Sequence, residues 1–287
     1  MSTPFSLRIF VADGDPDGLR VVERSNWIGK ALIFPRALLP QVKQRDELGQ
    51  TGVYLLLGPR DDGEGEKLYI GEGDPIRPRL ESHYAQKDFW TRAVCFVAAP
   101  GQLNKAHVQF LEANLVRLAK AAKRMPLDNG NAPAEPTLSE ADRADMLVFL
   151  QNMLGMLPVL GVQAFEQAPP AGASAATLLT CKGKGVLATG YESSQGFVVK
   201  AGSHAVAESV PSMQQHVRGM FELRQELIAN GVLAAVASGY RFSQDYVFTS
   251  PSTAAAVVLG RSANGRIEWR DTQGRTLKEL QAQEAAA

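Results

Sequence analysis

The sequence predicts an α/β chain of the α+β type. A small β-sheet is flanked by helices, an N-terminal β unit precedes it, and a separate α+β domain follows. Three observations carry this. Two apolar runs, GVYLLLG (52–58) and KLYIG (67–71), lie on either side of the turn-rich string GPRDDGEGE. They read as short buried strands joined by a hairpin. A third apolar run, TRAVCFVAA (91–99), precedes a segment with helical apolar spacing. Finally, QAPPAGASA (167–175) carries no charge and is rich in Pro, Ala and Gly, a linker composition that splits off the rest of the chain.

The elements follow in order. Residues 1–48 alternate apolar and polar in LRIFVAD, LRVVER and ALIFP, a small β unit with turns at 13–18 and 25–30. Residues 49–167 form the central domain: two strands, a turn or short helix at 76–84, the strand at 91–99, and a helix at 103–124. That helix starts after Pro100-Gly101 and places Leu103, Val108, Leu111, Leu115 and Leu118 near a 3.6 period. It ends in Lys120, Lys123 and Arg124, cations suited to a helix C-terminus. The loop LDNGNAPAEPTLSEAD ends with Ser139 as an N-cap and Asp142 three residues on, a capping-box-like start for a helix over 142–165 that breaks near Pro158.

The linker is placed at 168–175 and an accessory domain at 176–287. There, ATLLTCKGKGVLATGYESSQGFVVKAGSHA reads as two or three strands with glycine turns. MQQHVRGMFELRQELIANG reads as one amphipathic helix stopped by Asn230-Gly231. A strand end, a helix from a Ser-Pro start, an Asn264-Gly265 turn and a strand come next, and the tail LKELQAQEAAA reads as a helix.

Bulk properties narrow the function classes. The 287 residues allow one to three domains, and 45% hydrophobic content is ordinary for a globular chain. Cys95 and Cys181 form no CxxC, which argues against a disulfide framework or a cysteine zinc site and fits a reducing cytoplasm. The N-terminus turns acidic before any signal-peptide core. The most apolar stretch, 146–165, is interrupted by Gln151, Asn152, Gly155 and Pro158, so it reads as a buried helix and not as a membrane span. Net charge is zero, which argues against a strong field for nucleic acid. The distribution is uneven, however. Residues 51–125 hold 11 Lys/Arg against 9 Asp/Glu, residues 126–180 hold one base against 6 acids, and residues 181–287 hold 11 against 9. A local basic groove is compatible with this pattern.

The chemistry-bearing residues lie in the central domain. Tyr54 and Tyr69 end or start adjacent predicted strands, so both hydroxyls can face one cleft. Arg79 supplies a planar fork suited to phosphate oxygens. His83 follows one helical turn later. Glu112 is the sole acid between Asp88 and Asp128 and lies on a helix that can present it to the sheet. A phosphodiester hydrolase needs an activated water, neutralised phosphoryl charge and a stabilised leaving oxygen, and one divalent metal with a few side chains supplies these. Mg²⁺ takes one or two carboxylates and keeps several waters. Each residue alone also has a plainer reading. The tyrosines are ordinary strand aromatics, Arg79 a surface partner of Glu81 or Asp74, and Glu112 a solvated helix residue. Gly71 and Gly73 read as a strand-end turn, and His107, His204, His216, Trp90, Trp269 and Cys95 as structural residues.

Gly52-Val53-Tyr54, Tyr69-Ile70-Gly71, Arg79, His83 and Glu112, in this order, resemble the GIY-YIG nuclease family, with Val for the central Ile of the first motif. The resemblance covers about 51–125. It implies metal-dependent hydrolysis of phosphodiester bonds in DNA (duplex, branched or single-stranded), with Mg²⁺ or Mn²⁺ on Glu112. It implies that Tyr54 orients or deprotonates the attacking water, Tyr69 assists at the phosphate, Arg79 stabilises the transition state, and His83 relays a proton or touches phosphate. The segment from Phe5 to Gln50 and the tail after 176 are similar to the flanks of a bacterial subgroup with an uncharacterised C-terminal domain. Its strings GYESSQGFVVKAGS and SPSTAAAVVLGRSANGRIEW resemble accessory modules of restriction-type proteins. The alternative reading is a catalytically silent module of the same fold that binds nucleic acid or protein.

Overall fold

The structure is a computed structural model that describes residues 4–61, 65–166 and 177–286. The chain forms two compact units, residues 1–166 and 167–287. Each is of mixed α and β composition. The linker string at 168–175 lies outside the described residues.

Unit 1 is built on one six-stranded antiparallel sheet. Its strands are β1 (Leu7–Val11), β2 (Arg20–Arg24), β3 (Gly29–Pro35), β4 (Gly52–Pro59), β5 (Glu66–Gly73) and β6 (Arg92–Ala98), ordered β1-β2-β3-β6-β4-β5. The N-terminal strands are therefore not a separate layer. β3 pairs with β6 from Gly29↔Ala98 to Pro35↔Arg92, so residues 1–48 extend the sheet that holds the central strands. Strand β3 (GKALIFP) is buried from Ala31 to Phe34, as a strand covered on both faces requires.

Alternation along β4 divides the core. Val53, Leu55 and Leu57 join a cluster with Val108, Leu111 and Leu115 of α3 (Lys105–Ala122) and Phe149, Leu150 and Met153 of α4 (Glu140–Met156). Tyr54 and Leu56 point the other way, toward Leu39 and Val42 of α1 (Leu39–Val42), Leu80 of α2 (Arg77–Gln86) and Trp90. The sheet is thus covered on both faces, and β5 forms its outer edge.

Local chemistry sets the helix ends. Asn104 caps α3, its side chain accepting from the His107 N–H at 2.9 Å, so the helix starts two residues later than the apolar spacing suggests. It stops at Lys123, which adopts φ 52°. Ser139 caps α4 by accepting from the Asp142 N–H at 3.1 Å, and its hydroxyl donates to Asp142 Oδ2 at 2.7 Å. Helix α4 ends at Met156, not at 165. Pro158 lacks the N–H that a continuing helix needs, and the Val162 N–H closes back onto Leu157 O.

Unit 2 has a five-stranded sheet, β13-β9-β8-β7-β14, and a three-stranded one, β10-β12-β11. The strands are β7 (Leu179–Gly183), β8 (Val186–Ser193), β9 (Gly196–Val199), β10 (His204–Ala205), β11 (Leu233–Val236), β12 (Gly239–Phe242), β13 (Tyr246–Phe248) and β14 (Trp269–Arg270). The predicted single helix is two: α5 (Pro211–His216) and α6 (Arg218–Ala229), meeting at Val217 with φ −137°. The helix α7 (Pro251–Leu259) is buried from Ala254 to Leu259 and forms the unit's hub. Asn264-Gly265 is not a hairpin turn. The Asn264 side chain accepts from the Arg266 N–H at 3.1 Å and starts the short helix α8 (Gly265–Glu268). The tail is helical as expected, α9 (Leu277–Ala286).

Candidate functional site

The register of β4 and β5 brings the two tyrosines together. Tyr54 pairs with Gly71, and Leu56 pairs with Tyr69. Opposed residues share a face in an antiparallel ladder, so both phenols lie on the α2 side of the sheet. Their ring centroids are 6.4 Å apart. Both residues sit inside their strands and not at strand ends.

Gly71 makes the arrangement possible. It too lies within β5 and not in a strand-end turn. The Tyr54 ring fills the space a side chain would occupy there: a Cβ on Gly71 would stand 2.5 Å from Tyr54 Oη. Gly52, across from Gly73, is held just as closely, since a Cβ would meet Phe96 O at 2.4 Å.

Helix α2 brings the cation and the imidazole. Pro78 sits in its first turn, a favoured place for a residue without an N–H. Leu80 and His83 are the buried residues of the helix. Arg79 and His83, four residues apart, lie on one side. His83 Nε2 is 2.9 Å from Tyr54 Oη, and its ring centroid is 4.7 Å from that of Tyr69. Arg79 is exposed on the same side, and its charge acts on the Tyr54 hydroxyl against the effect of burial. Glu81 is paired with Lys43 at 3.0 Å, and Asp74 accepts from the Thr51 hydroxyl at 2.5 Å. The plainer partners for Arg79 are therefore already engaged.

Either group can donate in the Tyr54–His83 hydrogen bond, according to the imidazole tautomer. His83 Nδ1 is buried with no partner among the described residues. Burial pushes the Tyr54 hydroxyl far above its ordinary pKa, and the neighbouring Tyr69 adds to this. Burial, then Arg79 and Lys87, lower His83 to about 4, so the imidazole is neutral at pH 7. Tyr69 is only half-buried, and it too is raised chiefly by burial.

Glu112 lies half-buried on α3, which packs on β5. Burial first and Glu72 second raise its carboxyl to about 7, while Arg79 and Lys105 pull it down. It is electrostatically coupled to both tyrosines. Glu72 follows Gly71 on β5, and Lys105 clasps it through both oxygens at 2.5 and 2.7 Å. Tyr54, Tyr69, Arg79 and His83 thus lie together on the α2 side of the sheet's outer edge, and Glu112 acts on them electrostatically from α3. His107 stays outside this group, against Asn104 and Asp142. Among the described residues no group of three or more His, Cys, Asp or Glu is gathered to hold a metal. The donor set offers Glu112, with Glu72 beside it. Such hard oxygen donors fit a cation that takes one or two carboxylates and keeps most of its waters.

Two further residues at this edge, Asp128 and Asn129, are not legible in the sequence. The segment 126–128 pairs alongside β5, with Leu68 N–H donating to Pro126 O at 2.9 Å and Asp128 N–H to Leu68 O at 2.8 Å. Asn129 then completes the edge. Its Oδ1 accepts from the Ile70 N–H at 3.0 Å, and its Nδ2 donates to Ile70 O at 2.7 Å. Asp128 holds Lys87 at 2.6 Å. The string LDNG carries ordinary loop composition, and its pairing with a strand some 59 residues earlier leaves no local signal.

Among the described residues, no helix is long and apolar enough to cross a membrane. A family model described as a domain of unknown function, DUF4357, matches residues 179–281, within unit 2. No curated protein and no solved structure matches the chain.

Proposed function

We propose that the chain is a divalent-metal-dependent DNA endonuclease of the GIY-YIG type, with its site in unit 1. One observation carries the reading: Tyr54, Tyr69 and His83 pack together on the α2 side of one sheet edge, with Arg79 on the same side of α2 and Glu112 near enough to act electrostatically on both tyrosines. Glu112 would hold the metal. Bound there, Mg²⁺ or Mn²⁺ supplies charge neutralisation and a water of lowered pKa.

The chain's own residues supply the rest. Arg79, exposed and fork-shaped, neutralises charge on the phosphoryl oxygens. Tyr69, half-buried, presents its hydroxyl to the attacking water or the phosphate. Tyr54 has no exposed surface, so it acts by holding His83 in place through its hydroxyl. His83, neutral at pH 7, is the proton acceptor of the cluster. In the hydrolysis, the water oxygen forms the new phosphorus–oxygen bond, the bond to the leaving sugar oxygen breaks, and that oxygen departs with a proton. No covalent intermediate with the chain is required. Unit 2 positions the DNA or a partner. Two free, buried cysteines, Cys95 and Cys181, suit a cytoplasmic setting.

A second reading has one observation in its favour. The Tyr54 hydroxyl is sealed from solvent and already engaged by His83, as it would be in a silent binding module that keeps the fold. Metal-dependent cleavage of labelled duplex, branched and single-stranded DNA separates the two. The nuclease cuts at least one substrate with Mg²⁺ or Mn²⁺, and both Glu112→Ala and Tyr54→Phe abolish the cutting. DNA bound but never cut selects the silent module. Matched RNA strands define the substrate class.

A further inference from the structure

The cation at the end of α2 has a setting of its own. Lys87 follows the last turn, its N–H donating to His83 O at 2.9 Å. Its ammonium lies 4.8 Å from the centroid of the Tyr69 ring and 2.6 Å from Asp128 Oδ2. Asp128 is brought there by the strand-like pairing of 126–128 with the β5 edge. The same carboxylate stands 3.7 Å from Lys67, so one acid faces two ammonium groups. Lys67 has a second partner, Asp61, at 2.9 Å, and that acid is almost fully exposed. Lys87 has three donor hydrogens, of which Asp128 needs one.

Lys87 and Arg79 stand on either side of the Tyr69–His83 pair and both act electrostatically on them. Eight residues of helix separate the two cations, about 12 Å at the helical rise. Duplex DNA advances about 3.4 Å per phosphate on each strand. Each strand also winds about that axis, which spreads its phosphates further apart than the rise alone, so two cations so spaced can touch one strand a couple of phosphates apart.

We propose that Lys87 is a second phosphate contact, gripping the strand a few nucleotides from the bond at Arg79, and that Asp128 positions it over Tyr69. The inference rests on the nuclease reading only for the choice of DNA as ligand. A compact ammonium suits this task, since it binds phosphate as a point charge without reading bases.

The test is binding of labelled duplex DNA by the full chain, followed by anisotropy in EDTA over a salt series. Lys87→Gln is expected to weaken binding several-fold at low salt. It should also flatten the slope of log affinity against log salt by about 1, one released counterion. Lys87→Arg should keep the slope. Asp128→Asn should weaken binding alone but add nothing in the Lys87→Gln background, as a positioning residue requires. An unchanged slope in Lys87→Gln overturns the proposal, as does an additive effect of Asp128→Asn for its positioning part. Cleavage is measured separately with Mg²⁺. DNA bound with the altered slope but never cut overturns the nuclease reading alone, and DNA cut with the slope unchanged overturns the Lys87 contact alone. No DNA binding by the unmodified chain overturns both.

Discussion

The phenol of Tyr54 lies directly over Gly71, its cross-strand partner, so that a Cβ on Gly71 would stand 2.5 Å from both Cζ and Oη of the ring. The ring cannot retreat, since Tyr54 is fully buried with His83 Nε2 2.9 Å from its hydroxyl. The glycine of the second motif is therefore a steric requirement of the tyrosine of the first.

Gly71→Ala is expected to destabilise unit 1 by about 1–3 kcal/mol, the usual cost of overpacking. Urea unfolding measures it. In a Tyr54→Ala background the same change should cost little, because the clashing ring is gone. Equal costs in both backgrounds would show that the strain lies elsewhere, in the β5 backbone. On the nuclease reading, the displaced hydroxyl also lets go of His83, so cleavage should fall more than the loss of folded protein explains.

His83 should titrate near 4 and not near 6.5, because burial, Arg79 and Lys87 all oppose its charge. The folded pKa lies below the unfolded one. The associated stability is therefore fully present above pH 6.5 and is lost as pH falls through 4. Its size is at most about 3.4 kcal/mol, for a fall from 6.5 to about 4. Proton–carbon NMR of the imidazoles, assigned with His83→Gln, reads the midpoint directly. A midpoint above 6 would contradict an imidazole whose charge is opposed by burial and by both cations.

How far the sequence discloses this site depends on the range of each signal. The strands were visible because GVYLLLG and KLYIG are locally apolar and bounded by turn residues, and the register between them follows from a short connection. Ser139 and the break at Pro158 were visible because capping and imino chemistry act within four residues. The joining of β3 to β6 was not, since Gly29 and Ala98 are 69 positions apart and nothing local in either strand specifies the other. Asn129 and Asp128 were hidden for the same reason, as loop residues whose partners lie on a distant strand edge. Asn264-Gly265 was misread because the dipeptide suits both a tight turn and a helix start, and only the packing of Gly265 against Pro251 selects the second.

Glu112 gives the sharpest pH prediction. Its carboxyl is raised from 4.5 to about 7, first by burial and then by Glu72. Between those two pH values the folded chain keeps a proton that the unfolded chain has lost, so stability falls as pH rises through this window and stays lower above it. With solvent screening of a half-buried group, the loss is about 1–2 kcal/mol. Glu112→Gln keeps the shape and removes the titration. The variant should match the unmodified chain at pH 4.5 and exceed it in stability at pH 8, as read by thermal unfolding in EDTA. His83 contributes equally to both proteins, so the difference isolates Glu112. Equal stability at both pH values would place the carboxylate in water and deny it the electrostatic stress that a bound cation would relieve. A stabilised variant that no longer cleaves would show the chain keeping a charge there at the expense of its own stability, a trade expected of a working site and not of a solvated helix residue.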